Sequence, residues 1–190
     1  RFVLEKLGLQ RGDRGVVHLD GDPGSAKFWP VERWKDVAQH LHEKYDLKVL
    51  FHGTRRGKRH YEQLDLPREH YISLHGALDP AELGALLQSA RVNVGSDSGP
   101  QHIAQAVGAP SLILFSLCDE KRWGPLPRLK SDGDRPLPFR AVRGARSTVD
   151  WLEHEIAGFP EEERIIRLTL DEVVESLDSL MQETAILFDG

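Results

Sequence analysis

Five short apolar runs, separated by stretches with helical spacing, limit the possible folds more than any other feature of this sequence. Each run has four or five residues and ends in, or is followed by, a glycine, a serine or a polar turn. Strands that alternate with helices in this way predict an α/β fold, a parallel sheet covered by helices on both faces. The runs are almost uniformly apolar, which fits strands buried on both faces. The predicted strands are 16–19, 48–52, 71–74, 91–95 and 111–115.

The segments between these runs carry apolar residues at the three- and four-residue spacing of a helix face. The clearest example extends from Val31 to Tyr45. Pro80 suits the first turn of another helix, which starts after Leu78 or Asp79. Further helices are predicted over 58–64, over 100–107 and from about Leu170, the last with an inner face of Val173, Val174, Leu177, Leu180 and Met181.

The regular rhythm stops after Phe115, and this break divides the chain into four predicted parts. Residues 116–150 are rich in Pro, Gly and Arg and show no periodicity. A loop of that length is usually functional or mobile. The parts are a linker or helix from a missing N-terminal domain over 1–14, a core over 15–125, an irregular insertion over 126–168 and a C-terminal helix over 169–190.

Composition narrows the classes of protein to which the chain can belong. The 25 basic and 30 acidic residues give a formal charge of −5, so charge offers no reason to expect nucleic acid as a partner. The single cysteine, Cys118, excludes an internal disulfide. No apolar run approaches the roughly 20 residues that span a bilayer, so no transmembrane segment is expected. The nine histidines are scattered and predict no metal site.

The segment Gly95–His102, which leads from the fourth strand into a helix, is the strongest candidate for a binding site. In open α/β sheets, ligands bind beyond the carboxyl ends of the strands. Unpaired N–H groups and the positive end of a helix dipole bind anions there, most often phosphate. His102 lies in the first helical turn and can donate to the same anion. The alternative is a capped helix start in which Asp97 and Ser98 only satisfy the hydrogen bonds of backbone groups.

Two caps are compatible with this helix start. Ser98 can cap the helix with Gln101 completing a capping box. Alternatively, Gly99 is the cap and Pro100 occupies the first helical position.

Two other turns follow strands and contain possible phosphate ligands. In the turn after the first strand, Gly24 and Ser25 offer backbone and hydroxyl donors, and Lys27 is either a point charge for a diphosphate or a solvated side chain. Trp29, nearby, is interpreted as a core residue. The basic turn 52–59 resembles a phosphate loop, but a solvated turn explains it slightly better. None of these turns matches the P-loop or the dinucleotide fingerprint.

The motifs taken together resemble glycosyltransferase family 9, the ADP-heptose:lipopolysaccharide heptosyltransferases and their relatives. The resemblance covers about residues 4–125. Its elements, in order, are Pro-Gly-Ser-x-Lys-x-Trp-Pro from Pro23, a strand ending in Gly53, Leu-His-Gly from Leu74, Asp-Ser-Gly-Pro-x-His from Asp97, and Arg-Trp-Gly-Pro from Arg122. Asp-Ser-Gly-Pro-x-His is specific for the family when it follows Leu-His-Gly at this distance.

The resemblance implies that the chain is the C-terminal, donor-binding half of a GT-B fold, with Rossmann-like architecture. The implied donor is a nucleotide diphosphate sugar, ADP-linked in this family, and the acceptor is a glycan or lipid-linked glycan. Lys27 is expected to stabilise the leaving group, and the catalytic base is expected in the missing N-terminal domain. No cofactor or metal is implied, and the implied location is the cytoplasm, at or near the inner membrane. The implied donor ligands are Gly24, Ser25, Lys27, Gly53, Asp97, Ser98, Gly99, Pro100 and His102.

This chain departs from the family pattern at two places. The family usually carries a Glu shortly after Gly53 that holds the nucleoside, but here no carboxylate follows until Glu62. The residue after the fifth strand is Ser116 rather than Gly, and Leu-Cys-Asp replaces Pro-Thr-Asp after it. The first departure leaves open which nucleoside is bound. Two alternatives to the glycosyltransferase function stay open. One is a non-catalytic nucleotide-binding module, and the other is another GT-B relative such as a UDP-sugar enzyme.

Overall fold

A computed structural model describes residues 8, 10–116, 139–143 and 165–188 of the 190-residue chain. The strands are β1 Arg14–His18, β2 Lys48–His52, β3 Tyr71–Ser73, β4 Val92–Ser96, β5 Ser111–Phe115 and β6 Phe139–Arg143. The helices are α1 Val31–Tyr45, α2 Lys58–Gln63, α3 Pro80–Ser89, α4 Gly99–Ala106 and α5 Leu170–Thr184, with 3₁₀ turns at Ile165–Arg167 and Ala185–Leu187.

The six described strands form one parallel sheet in the order β3-β2-β1-β4-β5-β6. From β1 the chain adds strands outward on one side, and then crosses back to add β4, β5 and β6 on the other side. The strand order therefore reverses between β1 and β4. In open α/β sheets, the crevice at the carboxyl ends of such a pair is where ligands bind. The predicted fold class, an α/β doubly wound parallel sheet, is confirmed.

Apolar side chains cover both faces of the sheet, which explains why the strands read as continuous apolar runs. Val17 and Val49 belong to a large buried cluster that also holds the inner faces of α1 and α5. Val16 and Leu50, one residue away on the same strands, point to a second cluster with α3 and α4. The period-2 geometry of strands thus places helices on both faces, as predicted.

Most predicted boundaries agree with the structure, but β1 begins earlier than the apolar pattern indicates. Arg14 is fully buried. Its Nε donates to Asp13 and its Nη2 to the backbone oxygen of Gln10, while Nη1 has no hydrogen-bond partner among the described residues. Gly15 is the next residue, and a Cβ there would lie 2.9 Å from Cδ1 of Leu41 on α1. The strand start is therefore polar in sequence although it is part of the core.

The strand β6 is a finding that the sequence pattern did not predict. Its five residues include Arg140 and Arg143, and only Val142 is buried. Charged side chains are common on edge strands because they discourage pairing with another chain. The strand lies in a Pro- and Gly-rich stretch of sequence, in which the pattern predicts no strand. The four-part division of the chain stays a prediction, and the Arg122–Pro125 motif and Cys118 lie outside the described residues.

Helices α3 and α5 begin at capping boxes, in which a side chain and a backbone N–H bond reciprocally. Asp79 accepts from the backbone N–H of Glu82 at 2.8 Å, which decides between the two predicted starts in favour of Asp79. Thr169 and Glu172 form the same arrangement for α5. The predicted inner face of α5 is buried except at Val174, which is half-buried.

Trp29 ties the loop between β1 and α1 to the segment that precedes α5. It is 1% exposed, and its indole N–H donates to the backbone oxygen of Leu168 at 3.0 Å. Its ring packs edge-on against Trp34 with ring centroids 5.0 Å apart. The backbone oxygen of Ala26 accepts from Ile165 at 3.0 Å in the same loop. The interpretation of Trp29 as a core residue is confirmed.

Candidate nucleotide-binding site

A cavity of about 900 Å³ opens at the carboxyl edge of the sheet, where β1 and β4 diverge. The turns after β1, β2, β3 and β4 all contribute to its wall. Its size is within the range of small-molecule and cofactor sites. The lining includes six of the nine donor-site residues predicted from the sequence: Ser25, Lys27, Gly53, Asp97, Ser98 and Pro100.

The remaining three predicted residues do not line this cavity. Gly24 and Gly99 adjoin residues that do, so their backbones lie near its rim. His102 lies on α4 with its side chain exposed, and it is not part of the cavity wall. The expected contact between His102 and a bound anion stays a prediction.

Lys27 and Asp97 join the β1–α1 loop to the end of β4 across the cavity. The ammonium of Lys27 donates to Oδ2 of Asp97 at 3.0 Å and to its backbone oxygen at 3.1 Å. The Asp97 side chain is only 6% exposed, whereas that of Lys27 is 40% exposed. A buried carboxylate therefore fixes the ammonium of a side chain that is itself partly exposed.

Ser25 shapes the loop that carries Lys27. Its hydroxyl accepts from the backbone N–H of Lys27 at 3.2 Å, and its own N–H donates to the oxygen of Asp22 at 2.8 Å. Serine hydroxyls often bond to backbone groups two residues away in such turns. The observed role of Ser25 in the structure is therefore to hold the loop, beside the cavity that it lines.

Helix α4 begins at Ser98, but the predicted capping box is wrong. Ser98 is the N-cap in an extended conformation and makes no side-chain bond to the helix. Its hydroxyl donates to the backbone oxygen of Ser96 at 2.9 Å and lies 3.2 Å from Nδ1 of His18. Gln101 is buried, and its side-chain oxygen accepts from Asn93 at 2.6 Å. The alternative with Gly99 as cap is also not observed.

Gly95 is required by this packing between β4 and α4. A Cβ at Gly95 would lie 2.1 Å from the side-chain nitrogen of Gln101 and 2.8 Å from Cβ of His18. Real Cβ atoms do not approach other atoms that closely, so a larger residue would force the side chains of Gln101 and His18 to shift.

The turn after β2 is braced against the end of β1. The backbone N–H of Thr54 donates to Oδ2 of Asp20 at 2.6 Å. Burial acts to raise the pKa of the Asp20 carboxyl, but hydrogen bonds from the backbone N–H groups of Thr54 and Gly21 outweigh it and lower the pKa. A Cβ at Gly53 would lie 2.8 Å from the backbone oxygen of Leu19. The turn therefore needs glycine to approach β1 so closely.

The basic residues of this turn divide into two groups. Lys58 and Arg59 lie in ion pairs with Glu62 and Asp22, at 3.9 and 3.2 Å. Arg55 and Arg56 line the cavity instead. The Arg55 side chain crosses Gly76, where a Cβ would meet its Cγ at 2.3 Å. All four basic side chains are exposed, as the solvated interpretation expects, and a contact of Arg55 or Arg56 with a phosphate stays a prediction.

Three buried histidines form a layer beneath the cavity that sequence reasoning missed. His18 and His52 are register partners on β1 and β2, and their ring centroids are 5.0 Å apart. Burial lowers the pKa of His18 to about 4 and that of His52 well below its ordinary value. Burial also lowers the pKa of His75, whose Nε2 donates to the oxygen of Leu19 at 2.8 Å. The signal in the sequence is a histidine at or just after the end of three strands.

These histidines predict that stability falls when the pH is lowered from 7 to 5. Their pKa values are lower in the folded state, so the unfolded chain binds more protons below about pH 6.5 and is favoured there. His18 alone is expected to contribute a loss of about 2 kcal/mol across this range. Urea unfolding at the two pH values measures the difference.

The pH window separates this effect from that of the carboxylates. Burial acts to raise the pKa of Asp178, but hydrogen bonds from Lys44, Tyr45 and His40 lower it to about 2, so its contribution is lost only below about pH 4. A His18→Asn variant should lose less stability between pH 7 and 5 than the wild type. Equal losses in the two proteins would contradict the role assigned to His18.

Two kinds of feature are absent from the described residues. No helix among them is both long and apolar enough to cross a membrane. No group of three or more His, Cys, Asp or Glu side chains in the described ranges is arranged to hold a metal ion.

Comparison with known proteins places this site in a family. The model of glycosyltransferase family 9 (heptosyltransferase) matches residues 9–132. Lipopolysaccharide heptosyltransferase 1 of Pseudomonas aeruginosa is 28% identical over 117 residues, which cover 60% of this chain and 33% of that protein.

Two solved structures share the fold. A glycosyl transferase family 9 protein from Veillonella parvula superposes with a TM-score of 0.76 at 18% identity, over 95% of this chain and 49% of that one. The ADP-heptose lipopolysaccharide heptosyltransferase II of Escherichia coli gives a TM-score of 0.73 at 19% identity, over 97% and 51%. The chain thus spans about half the length of these structures and a third of the P. aeruginosa relative. Because the family model matches well over half of its residues, the chain belongs to glycosyltransferase family 9, the heptosyltransferase family.

Proposed function

We propose that this chain binds the donor in a glycosyltransferase that moves a heptose-like sugar from a nucleotide diphosphate to a lipopolysaccharide-type glycan. The observation that carries the proposal is the meeting of Lys27, Asp97 and Ser98 in one cavity at the start of α4. We take the donor to be an ADP-linked sugar, because one of the structural relatives is named as an ADP-heptose heptosyltransferase.

The cavity provides two sources of positive potential for a diphosphate. The start of α4 contributes the positive end of the helix dipole and the N–H groups of Ser98 and Gly99. Lys27 contributes a full positive charge. Its ammonium can bind the diphosphate while it stays bonded to Asp97, or it can leave Asp97 to do so. Negative charge grows on the diphosphate as the sugar bond breaks, so fixed donors at that point lower the barrier. Lys27 is therefore assigned to the leaving group, and the assignment includes no cofactor or metal ion.

The acceptor side of the reaction is assigned to a second domain outside this chain. Transfer to a glycan hydroxyl needs a base to remove its proton. In this proposal a carboxylate of the N-terminal domain is that base, and the two domains enclose the donor between them. The proposal includes a location in the cytoplasm, at or near the inner membrane, because that is where such an acceptor would be used.

A ligand panel tests the donor assignment. The chain is titrated by calorimetry with ADP, UDP, GDP and CDP, and then with their available sugar conjugates. Binding stabilises the fold by about 2.7 kcal/mol at a ligand concentration of 100 Kd, so thermal unfolding gives an independent readout. ADP compounds are expected to bind most tightly. No binding by any nucleoside diphosphate at millimolar concentration would refute the donor assignment.

The second candidate function is nucleotide binding without sugar transfer. The observation that favours it is the pair Arg55 and Arg56 at the cavity wall, where a carboxylate for the nucleoside was expected. The full-length protein separates the two functions. Release of nucleoside diphosphate that depends on an added glycan acceptor supports sugar transfer. Tight donor binding without release of nucleoside diphosphate supports a nucleotide-binding module that does not transfer sugar.

A further inference from the structure

The side chain of Ser98 is turned away from the helix that it begins. A serine at an N-cap ordinarily accepts a hydrogen bond from an N–H of the first helical turn. Here the hydroxyl lies on the sheet side instead, 2.9 Å from the backbone oxygen of Ser96 and 3.2 Å from Nδ1 of His18. The residue that leads into the proposed diphosphate site is therefore anchored to β1 and β4 rather than to α4.

The direction of these hydrogen bonds follows from the donors available. The carbonyl of Ser96 can only accept, so the single hydroxyl hydrogen of Ser98 points to it. His18 then donates from Nδ1 to the Ser98 oxygen. A neutral imidazole carries one hydrogen, so this bond fixes the tautomer with a bare Nε2. His18 is 8% exposed and packed against Gly95, which leaves its ring little freedom to turn.

We infer that His18 is a positioning residue: through the Ser98 hydroxyl it holds the backbone N–H groups of Ser98 and Gly99 toward the donor's diphosphate. This inference deepens the proposed function and rests on it for the identity of the ligand. Donors that are already aimed at the charge need no reorganisation when it develops. Without His18 the Ser98 hydroxyl keeps only its bond to Ser96, so the turn that presents these N–H groups is held less firmly.

The first test needs no ligand. Water exchange of the Asp97 and Gln101 amides, which bond to the backbone oxygens of Leu114 and Ser98 on either side of this turn, is measured by NMR in the wild type, in His18→Leu and in His18→Asn. His18→Leu is expected to raise exchange by about fivefold, as expected for loss of a neutral hydrogen bond. His18→Asn keeps an N–H donor near the place of Nδ1 and should restore most of the protection. Unchanged exchange in His18→Leu would overturn the inference.

The second test measures ADP and adenosine affinity in a double-mutant cycle with Ser98→Ala. His18→Leu is expected to weaken ADP by about five- to tenfold and adenosine hardly at all. In the Ser98→Ala background the same change should have no further effect, because the hydroxyl through which His18 acts is gone. An equal loss in both backgrounds would mean that His18 touches the ligand directly, which contradicts the positioning role.

A failure of the positioning role can be distinguished from a failure of the donor assignment. A wild-type chain that binds no nucleoside diphosphate refutes the proposed function, while the amide exchange still decides whether His18 holds Ser98. Thermal unfolding of each variant identifies a protein that has lost its fold, and His18→Asn provides the comparison with a polar side chain retained at that buried place.

Discussion

Replacing Lys27 with alanine is expected to weaken ADP binding by about 10- to 100-fold, the range for loss of a hydrogen bond to a charged group. Lys27 is the only cation of the β1–α1 loop in the cavity wall, and Asp97 holds its ammonium beside the start of α4. Adenosine has no phosphate, so its weaker binding should change little. Calorimetry with both ligands measures the contrast.

Lys48 offers a matched control. It is an exposed lysine at the amino end of β2, the end of the strand opposite the cavity. Lys48→Ala should leave both affinities unchanged. Equal losses of ADP and adenosine binding in Lys27→Ala would contradict the diphosphate role. Because Lys27→Ala also leaves the Asp97 carboxylate without its partner, thermal unfolding is measured in parallel to detect any loss of stability.

Trp29→Ala is expected to cost about 3–5 kcal/mol of unfolding free energy, the usual range for removing a buried aromatic side chain. The ring is 1% exposed, and its N–H bonds to Leu168. Ala26 and Trp29 flank Lys27, and both are attached to the segment before α5. The substitution should therefore also weaken ADP binding in the molecules that stay folded.

Urea unfolding followed by circular dichroism measures this cost without relying on tryptophan emission. Trp29→Phe keeps a buried ring but removes the indole N–H, so it should lose about 1–3 kcal/mol. Ile186 is 79% exposed, and Ile186→Ala should stay within about 0.5 kcal/mol of the wild type. A small loss in Trp29→Ala would show that the loop is not held by this contact.

The fold was largely predictable because its strands are buried on both faces. Continuous apolar runs such as Leu112–Phe115 identify such strands, and helical spacing identifies what lies between them. The features that escaped prediction have polar sequences. Arg14 lies in the core with hydrogen bonds to Asp13 and Gln10, and β6, at the edge of the described sheet, carries Arg140 and Arg143. Apolar patterns carry no information about either case.

The candidate site was predictable where it depends on strand ends, and not where it depends on tertiary contacts. The carboxyl ends of parallel strands meet at one edge, so Lys27 and Asp97 were expected together before their distance was known. The predicted capping box is not formed because the side-chain oxygen of Gln101 accepts a hydrogen bond from Asn93 on β4. The histidine layer needs the pairing of His18 with His52, which follows from strand register and not from either local sequence.

The cavity has one wall that is part of the core and one that is not. Around Gly95 and Gln101 the wall is packed so closely that a larger residue at Gly95 forces its neighbours to shift. Arg55 and Arg56 stand on an exposed turn whose backbone is held independently by Asp20. Substitutions that change donor preference at a tolerable cost in stability are therefore confined to the second wall. A library that randomises residues 54–56 should contain folded variants with altered nucleotide selectivity, whereas one that randomises Gly95 and Gln101 should consist mostly of destabilised proteins.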